Sequence, residues 1–155
     1  PNGRVVLLKN VGKGFSFYTN YRSSKAEALD KHPQACITFF WAELERQIRI
    51  EGITQKVDSA TAEIYFKNRP RASQLGAWVS EQSARIESRD ILELAFKELE
   101  AKYEGQEIPK PPHWGGFELI PSYFEFWQGR TSRLHDRVIY ELEGENNWKI
   151  GRLAP

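Results

Sequence analysis

Short apolar runs with the residue types of β-strands recur along this chain, and turn residues separate them at close intervals. Six strands are predicted, at residues 4–9, 15–19, 35–41, 45–56, 117–129 and 138–153. Three helices are predicted between them, at residues 24–31, 59–68 and 90–103, with Ser23 or Ser24 and then Asp58 as caps of the first two. Many short strands with few helices indicate a mainly β protein, a small and partly open barrel with helices packed outside it.

Length and charge narrow the class of protein further. The 155 residues are long enough to bury a core and predict a single domain over residues 1–155. Because the net charge is only +1, no nucleic-acid or membrane-surface partner is expected. No run approaches the roughly 18 apolar residues that a spanning helix needs.

The single cysteine, Cys36, cannot form an internal disulfide, which is typical of a reducing compartment such as the cytoplasm. Its place in the apolar run from Ala35 to Trp41 predicts a buried, unreactive thiol. The three histidines lack the spacing of metal ligands, so no metal site is expected.

Cationic side chains are concentrated near the end of the chain. If residues 127–137 are extended, Arg133, His135 and Arg137 share one face, because side chains alternate across a strand. Such groups repel one another, so an anion is expected opposite them. Either a protein carboxylate, for which Glu125 and Asp136 are available, or a ligand phosphate would satisfy that requirement.

A second pattern lies in the middle of the chain. Tyr65 and Arg69 are four residues apart and share a helix face, and Pro70 ends that helix next to the guanidinium. Ser73 follows closely. Taken alone, this pattern favours a solvated helix end with a partly buried tyrosine over an anion site.

Several segments, in the right order, resemble the pyridoxamine 5′-phosphate oxidases. They include Pro1 and Arg4–Lys9 (Arg-Val-Val-Leu-Leu-Lys), Tyr65–Trp78 (Tyr-Phe-Lys-Asn-Arg-Pro-Arg-Ala-Ser-Gln-Leu-Gly-Ala-Trp), Glu125–Gly129 (Glu-Phe-Trp-Gln-Gly) and Ser132–Arg137 (Ser-Arg-Leu-His-Asp-Arg). The resemblance implies an FMN-binding split β-barrel, an α+β fold around an antiparallel, Greek-key-like barrel. It also implies a homodimer with FMN at the interface.

The activity that the resemblance implies is that of a pyridoxal 5′-phosphate synthase. Pyridoxamine or pyridoxine 5′-phosphate would be oxidised at the 4′ carbon by hydride transfer to FMN. Dioxygen would accept the electrons and yield hydrogen peroxide. The cofactor carries this redox chemistry, and the protein orients the two phosphorylated rings.

The resemblance also assigns roles to residues. Those expected to contact FMN are Arg4, Val5, Val6, Leu7, Leu8, Lys9, Tyr18, Thr19, Ser24, Lys25, Gln47, Gln82, Ser83, Trp127 and Arg137. Those expected to bind the substrate are Lys9, Tyr65, Arg69, Ser73, Arg133, Leu134 and His135. Arg133 and His135 are also the expected catalytic residues, lying over the substrate ring.

One position departs from the family pattern. Ser24 stands where the family has an arginine that helps to hold the flavin phosphate. Lys25 is kept, and Arg22, two positions before Ser24, is a second source of positive charge. A serine cannot provide the two parallel hydrogen bonds of a guanidinium.

Two alternative functions remain open from the sequence. One is a related split-barrel flavin protein that acts on a different substrate. The other is a non-catalytic module that binds FMN or pyridoxal phosphate. The family carries a further N-terminal segment before the residues printed here, and we expect this chain to be a trimmed or processed form that lacks it.

Overall fold

A computed structural model describes residues 3–155, so Pro1 of the first motif lies outside the described part of the chain. Within it, the strands are β1 (Asn10–Val11), β2 (Phe15–Asn20), β3 (Gln34–Trp41), β4 (Arg46–Lys56), β5 (Trp114–Gln128), β6 (Asp136–Glu143) and β7 (Asn147–Arg152). The α-helices are α1 (Ser24–Lys31), α2 (Ser59–Lys67), α3 (Arg71–Val79) and α4 (Asp90–Lys102). Short 3-10 turns lie at Ala42–Leu44 and Thr131–Arg133.

The seven strands form one antiparallel sheet around β5. One edge of β5 pairs with β4 from residue 117 to residue 128. The other edge pairs first with β2, at residues 114–119, and then with β6, at residues 123–128. Because two strands share one edge of β5, the sheet curls into a half-barrel, which confirms the predicted split-barrel architecture.

A β-bulge in the pairing of β4 with β5 helps this curling. The register shifts between Glu51 and Gly52, where Gly52 lies opposite Pro121. A side chain at Gly52 would not fit, because its Cβ would lie 1.9 Å from the carbonyl oxygen of Ile120. The glycine therefore allows two backbones to approach closely at the bend.

The helices are packed at the start of β5. Phe66 of α2, Leu75 of α3, Ile108 and Trp114 form a buried cluster, and Phe96 and Leu99 of α4 lie against it. A side chain of this size stabilises the fold by roughly 1.5–3 kcal/mol when it is fully buried. Asp58 caps α2 as predicted, since its carboxylate accepts a hydrogen bond of 2.8 Å from Thr61 N.

The prediction of a strand at residues 4–9 is wrong. Residues 3–9 have no regular structure, and the side chains of Val5 and Leu7 are 95% and 69% exposed. The backbone N–H of Lys9 donates a hydrogen bond of 2.9 Å to Ser16 O, and this bond begins the pairing of β1 with β2. The apolar composition favours a strand, but a strand also needs a pairing partner, which this segment lacks in the described chain.

The last predicted strand is in fact a hairpin. Residues 138–153 divide into β6 and β7, which pair around a turn at Gly144 with a φ of +76°. The preceding strand starts earlier than predicted, at Trp114, because β2 supplies pairing for residues 114–116.

The expected burial of Cys36 is also wrong, because its thiol is exposed. β3 pairs only with β4 and is an edge of the sheet. Its residues alternate between partly buried and exposed, and Cys36 lies on the exposed side. No helix between residues 3 and 155 is long and apolar enough to cross a membrane.

Candidate functional site

Most of the residues predicted to bind FMN or the substrate phosphate surround one cavity of about 220 Å³. Its lining residues are Arg4, Val5, Val6, Leu7, Lys9, Tyr18, Thr19, Lys25, Tyr65, Arg69, Gln82 and Trp114. Among these residues, Trp114 alone had not been singled out from the sequence. The fold thus brings together the irregular segment 3–9, β2, α1, α2 and the loop after α3.

Lys25 contributes a positive charge that no acid neutralises in this cavity. Its Nζ donates to Gln82 Oε1 at 2.7 Å, Thr19 Oγ1 at 2.8 Å and Ser23 Oγ at 3.1 Å, all of them neutral oxygens. Burial, and to a smaller extent the charge of Arg4, lower the pKa of the Lys25 ammonium. The charged form of Lys25 is thus destabilised, and a bound phosphate would stabilise it by pairing with the ammonium.

Arg69 is a second cation that has no carboxylate partner within residues 3–155. Its guanidinium lies 4.7 Å from the centre of the Trp114 ring and 5.6 Å from that of Phe66. Its Nη1 is buried and has no hydrogen-bond partner in the structure. Burial lowers the pKa of this guanidinium, an effect that neighbouring Tyr65 partly opposes. An orphaned buried donor of this kind is costly and indicates a missing ligand atom.

Aromatic rings fix the position of these groups. Tyr18, Tyr65 and Trp114 form a stack, with ring centres 4.0 Å apart for the two tyrosines and 5.2 Å apart for Tyr18 and Trp114. The Nζ of Lys9 lies 6.0 Å from the centre of the Tyr65 ring. Lys9 and Arg69 thus both lie against the same aromatic stack, Lys9 at Tyr65 and Arg69 at Trp114.

Adjoining cavities contain the remaining predicted residues of this group. Ser73 lines a cavity together with Arg69 and Gln82. Ser24 and Ser83 line another that also contains Arg22, and Ser83 Oγ accepts a hydrogen bond of 3.3 Å from Ser24 N. Leu8 lies apart from them, in a cavity between residues 3–8 and β3.

Three predicted flavin contacts lie elsewhere, side by side on the sheet. Gln47 of β4 pairs with Trp127 of β5, which in turn pairs with Arg137 of β6. Side chains directly opposite each other on neighbouring strands project from the same face. These three residues therefore form a row across the sheet, next to His135, whose ring centre is 4.9 Å from that of Trp127.

A buried carboxylate holds this row in place. Glu125, whose side chain is only 5% exposed, accepts from Arg137 Nε at 2.7 Å and pairs with Arg49 Nη2 at 3.1 Å. The hydrogen bond from Arg137 holds the pKa of Glu125 below its ordinary value, against the opposing effect of burial. The anion expected opposite the cationic cluster is thus, for Arg137, a protein carboxylate.

The condition under which Arg133, His135 and Arg137 would share one face, an extended backbone over residues 127–137, is not met. Ser132 and Arg133 have φ values of 57° and 61° and belong to a 3-10 turn, so Arg133, His135 and Arg137 do not share a strand face. His135 Nδ1 accepts a hydrogen bond of 3.1 Å from Arg130 N, which leaves Nε2 as the protonated nitrogen of a neutral ring. The side chains of Arg133 and Leu134 are exposed.

The two groups of predicted residues are far apart along the chain's central strand. Trp114 of the cavity and Trp127 of the row lie near opposite ends of β5. At about 3.3 Å per residue, that separation is roughly 40 Å along the strand. The resemblance assigned both groups to a flavin at a subunit interface but did not indicate that they lie at opposite ends of one strand. It also did not identify the roles of Trp114 and Arg49, since neither residue has a distinctive sequence context.

This geometry is matched in proteins of known structure. PhzG from Burkholderia lata 383, solved in complex with tetrahydrophenazine-1-carboxylic acid, superposes with a TM-score of 0.90 at 30% identity, over 98% of this chain and 74% of that one. A pyridoxamine 5′-phosphate oxidase-related, FMN-binding protein from Nostoc punctiforme has a TM-score of 0.76 at 18% identity, over 98% and 80% of the two chains. These likenesses define the class of fold: the chain is a split-barrel protein.

Sequence comparisons specify the family. Residues 1–103 match the sequence model for pyridoxamine 5′-phosphate oxidase, and residues 114–155 match that for the pyridoxine 5′-phosphate oxidase C-terminal dimerisation region. A pyridoxine/pyridoxamine 5′-phosphate oxidase of Trichormus variabilis is 54% identical over all of this chain and 73% of its own length. The chain belongs to the pyridoxamine 5′-phosphate oxidase family.

Family membership confirms the sequence prediction that FMN is the cofactor, and the match to the dimerisation region supports a homodimer. The cavity fits a phosphate-bearing cofactor on its own chemistry. Lys25 and Arg4 provide positive charge without a carboxylate, and Thr19, Ser23 and Gln82 provide polar groups around the ammonium. Within residues 3–155, no group of three His, Cys, Asp or Glu side chains is arranged to hold a metal ion.

Proposed function

We propose that this protein oxidises pyridoxamine 5′-phosphate and pyridoxine 5′-phosphate to pyridoxal 5′-phosphate, with dioxygen as electron acceptor and hydrogen peroxide as product. One observation carries the proposal: a single cavity contains two pairs of cations, Lys25 with Arg4 and Arg69 with Lys9. None of the four takes part in an ion pair within residues 3–155. Two phosphorylated ligands would satisfy both pairs.

The chain's own residues bind and orient the substrate in this proposal. Arg69 and Lys9 pair with the substrate phosphate, while the hydroxyl groups of Tyr65 and Ser73 supply neutral hydrogen bonds. The unpaired Nη1 of Arg69 gains the acceptor that it lacks. His135 presents its Nε2–H, and Arg133 its guanidinium, towards the substrate ring. When bound, FMN supplies the hydride acceptor and the reaction with dioxygen.

Both halves of the site come together in a homodimer, with FMN at the interface between subunits. The row of Gln47, Trp127 and Arg137 lies too far along β5 from the cavity of its own subunit to reach the same cofactor. The row of one subunit would therefore meet the cavity of its partner. The 71% exposure of Leu134, which lies beside this row in sequence, fits a surface that a second subunit covers.

A second function is suggested by the neighbour PhzG, which was solved with a carboxylic acid of a tricyclic ring. A related protein of this fold can thus hold a ligand without a phosphate. The second cation pair, Arg69 with Lys9, favours a phosphomonoester in this chain, because a phosphate dianion balances two positive charges and a carboxylate balances only one. A module that binds FMN or pyridoxal phosphate without turnover is the third possibility.

One experiment separates the three functions. The holoprotein is mixed with pyridoxamine 5′-phosphate without oxygen, and the flavin absorbance is followed. We expect the absorbance to bleach as the amine is oxidised to the imine, which water hydrolyses to pyridoxal 5′-phosphate and ammonia. When air is admitted, the absorbance should return with formation of hydrogen peroxide. Bleaching by a reduced phenazine carboxylic acid alone would support the second function, and ligand binding without any bleaching would support the third.

A further inference from the structure

The proposed substrate-phosphate residue Arg69 lies in a tight connection between two helices. Only residues 68–70 join α2 to α3. The last carbonyl groups of a helix have no partner within it, and Pro70 has no N–H with which to satisfy them. The backbone N–H of Arg69 donates to Phe66 O at 3.1 Å, but Lys67 O and Arg69 O need other donors.

The side chain of Gln74 supplies those donors. Its Nε2 lies 3.1 Å from Phe66 O, 3.0 Å from Lys67 O and 3.1 Å from Arg69 O. An amide NH₂ carries two hydrogens, which are therefore shared among three acceptors. Gln74 is itself fixed in the first turns of α3, where its own N–H donates to Pro70 O at 3.1 Å. One side chain thus ties the connection carrying Arg69 to the helix that carries Ser73.

We propose that Gln74 is a positioning residue that holds the Arg69 guanidinium in place for the substrate phosphate. This inference rests on the proposed function. Within residues 3–155 the Arg69 side chain has no hydrogen bond or ion pair that orients it, and the Trp114 and Phe66 rings restrain it only across their faces. The direction of its Cα–Cβ bond therefore depends on the backbone of residues 66–70, and Gln74 contacts that backbone at three carbonyl groups.

The test compares Gln74→Met, which keeps the side-chain length and removes the donors, with the unchanged holoprotein. Inorganic phosphate is the probe, measured as a competitive inhibitor of pyridoxamine 5′-phosphate oxidation and by direct titration of the FMN-loaded protein. We expect phosphate to bind about tenfold more weakly and KM to rise similarly, because each lost hydrogen bond typically changes binding by a factor of about two to ten. We expect kcat and the FMN dissociation constant to stay unchanged.

A double-mutant cycle with Arg69→Met separates positioning from a general loss of structure. In the Arg69→Met background, Gln74→Met should have no further effect on phosphate binding, since the group that it positions is absent. Gln106→Met is the matched control, because Gln106 Nε2 donates to Lys102 O at 3.4 Å at the end of another helix. It should leave phosphate binding unchanged.

The proposal is overturned if Gln74→Met leaves phosphate binding unchanged, if its effect adds fully to that of Arg69→Met, or if FMN affinity falls as much as phosphate affinity. Should Gln74→Met fail to fold, Gln74→Asn is judged by the same three criteria, because its amide is one methylene too short to reach all three carbonyls. Failure of the proposed function is distinguishable, since the unchanged protein would then not bleach with pyridoxamine 5′-phosphate.

Discussion

Replacing Ser24 by arginine should tighten FMN binding. Ser24 is the first residue of α1, directly before Lys25, and lines a cavity with Arg22, Gln82 and Ser83. It stands where the family has an arginine, and its exposed side chain leaves room for a longer one. A guanidinium at this position would add a fixed charge to a phosphate site whose buried cation, Lys25, has only neutral hydrogen-bond partners.

The expected gain is modest. A charge-assisted contact is about twice as strong as a neutral one, and solvent exposure reduces its strength. We expect about 1 kcal/mol, or roughly a fivefold lower dissociation constant, that shrinks as salt is added. In the absence of FMN, the same change should cost about 0.3–1 kcal/mol of stability, because a cation at a helix N-terminus opposes the helix dipole.

Flavin fluorescence titrations of the apoprotein at low and high salt measure the gain, with Ser24→Gln as a neutral control of similar length. The reasoning is refuted if the arginine and glutamine variants bind FMN equally at low salt in an Arg22→Ala background. If the arginine variant gains affinity only in that background, Arg22 already supplies the missing charge. Glu27 and Glu81 line the same cavity, and their negative charges limit how far Arg22 can replace the missing arginine.

Three further predictions follow from the charges of the site. Arg69→Ala and Lys9→Ala should each weaken binding of the substrate by about 1.5–3 kcal/mol and leave FMN affinity nearly unchanged; a collapse of flavin affinity in titrations would mean that the two phosphate sites are reversed. Glu125→Gln should destabilise the protein by about 2 kcal/mol near pH 7 in urea unfolding. Arg137 holds the pKa of Glu125 in the folded protein below 4.5. The ionised Glu125 therefore stabilises the fold fully above pH 4.5, and this stabilisation is lost as the pH falls through the pKa of the folded state. The free energies of unfolding of the two proteins should become equal in acid. Sedimentation should show a dimer, and we expect its interface to bury more than roughly 2,000 Å² in total. A monomer that retains FMN would contradict the shared site.

The sequence by itself determined the local elements and the chemistry of the site. The helix predicted at residues 90–103 is α4, and the capping role of Asp58 is as expected, because helical periodicity and capping depend on neighbours along the chain. The resemblance of residues 65–78 to the family's motif, rather than the spacing alone, implied a phosphate site around Tyr65 and Arg69. The structure places both of them in one cavity with Lys25.

Tertiary structure decided everything that depends on which segments meet. The run at residues 4–9 has the composition of a strand and no partner, and Cys36 is exposed because β3 is an edge. Left-handed backbone at Ser132 and Arg133 makes this segment a tight turn, so Arg133, His135 and Arg137 do not share a strand face. Above all, the predicted flavin contacts divide between the two ends of β5. Strand pairing joins residues that are distant in sequence, so only the folded sheet shows which of the predicted contacts lie together.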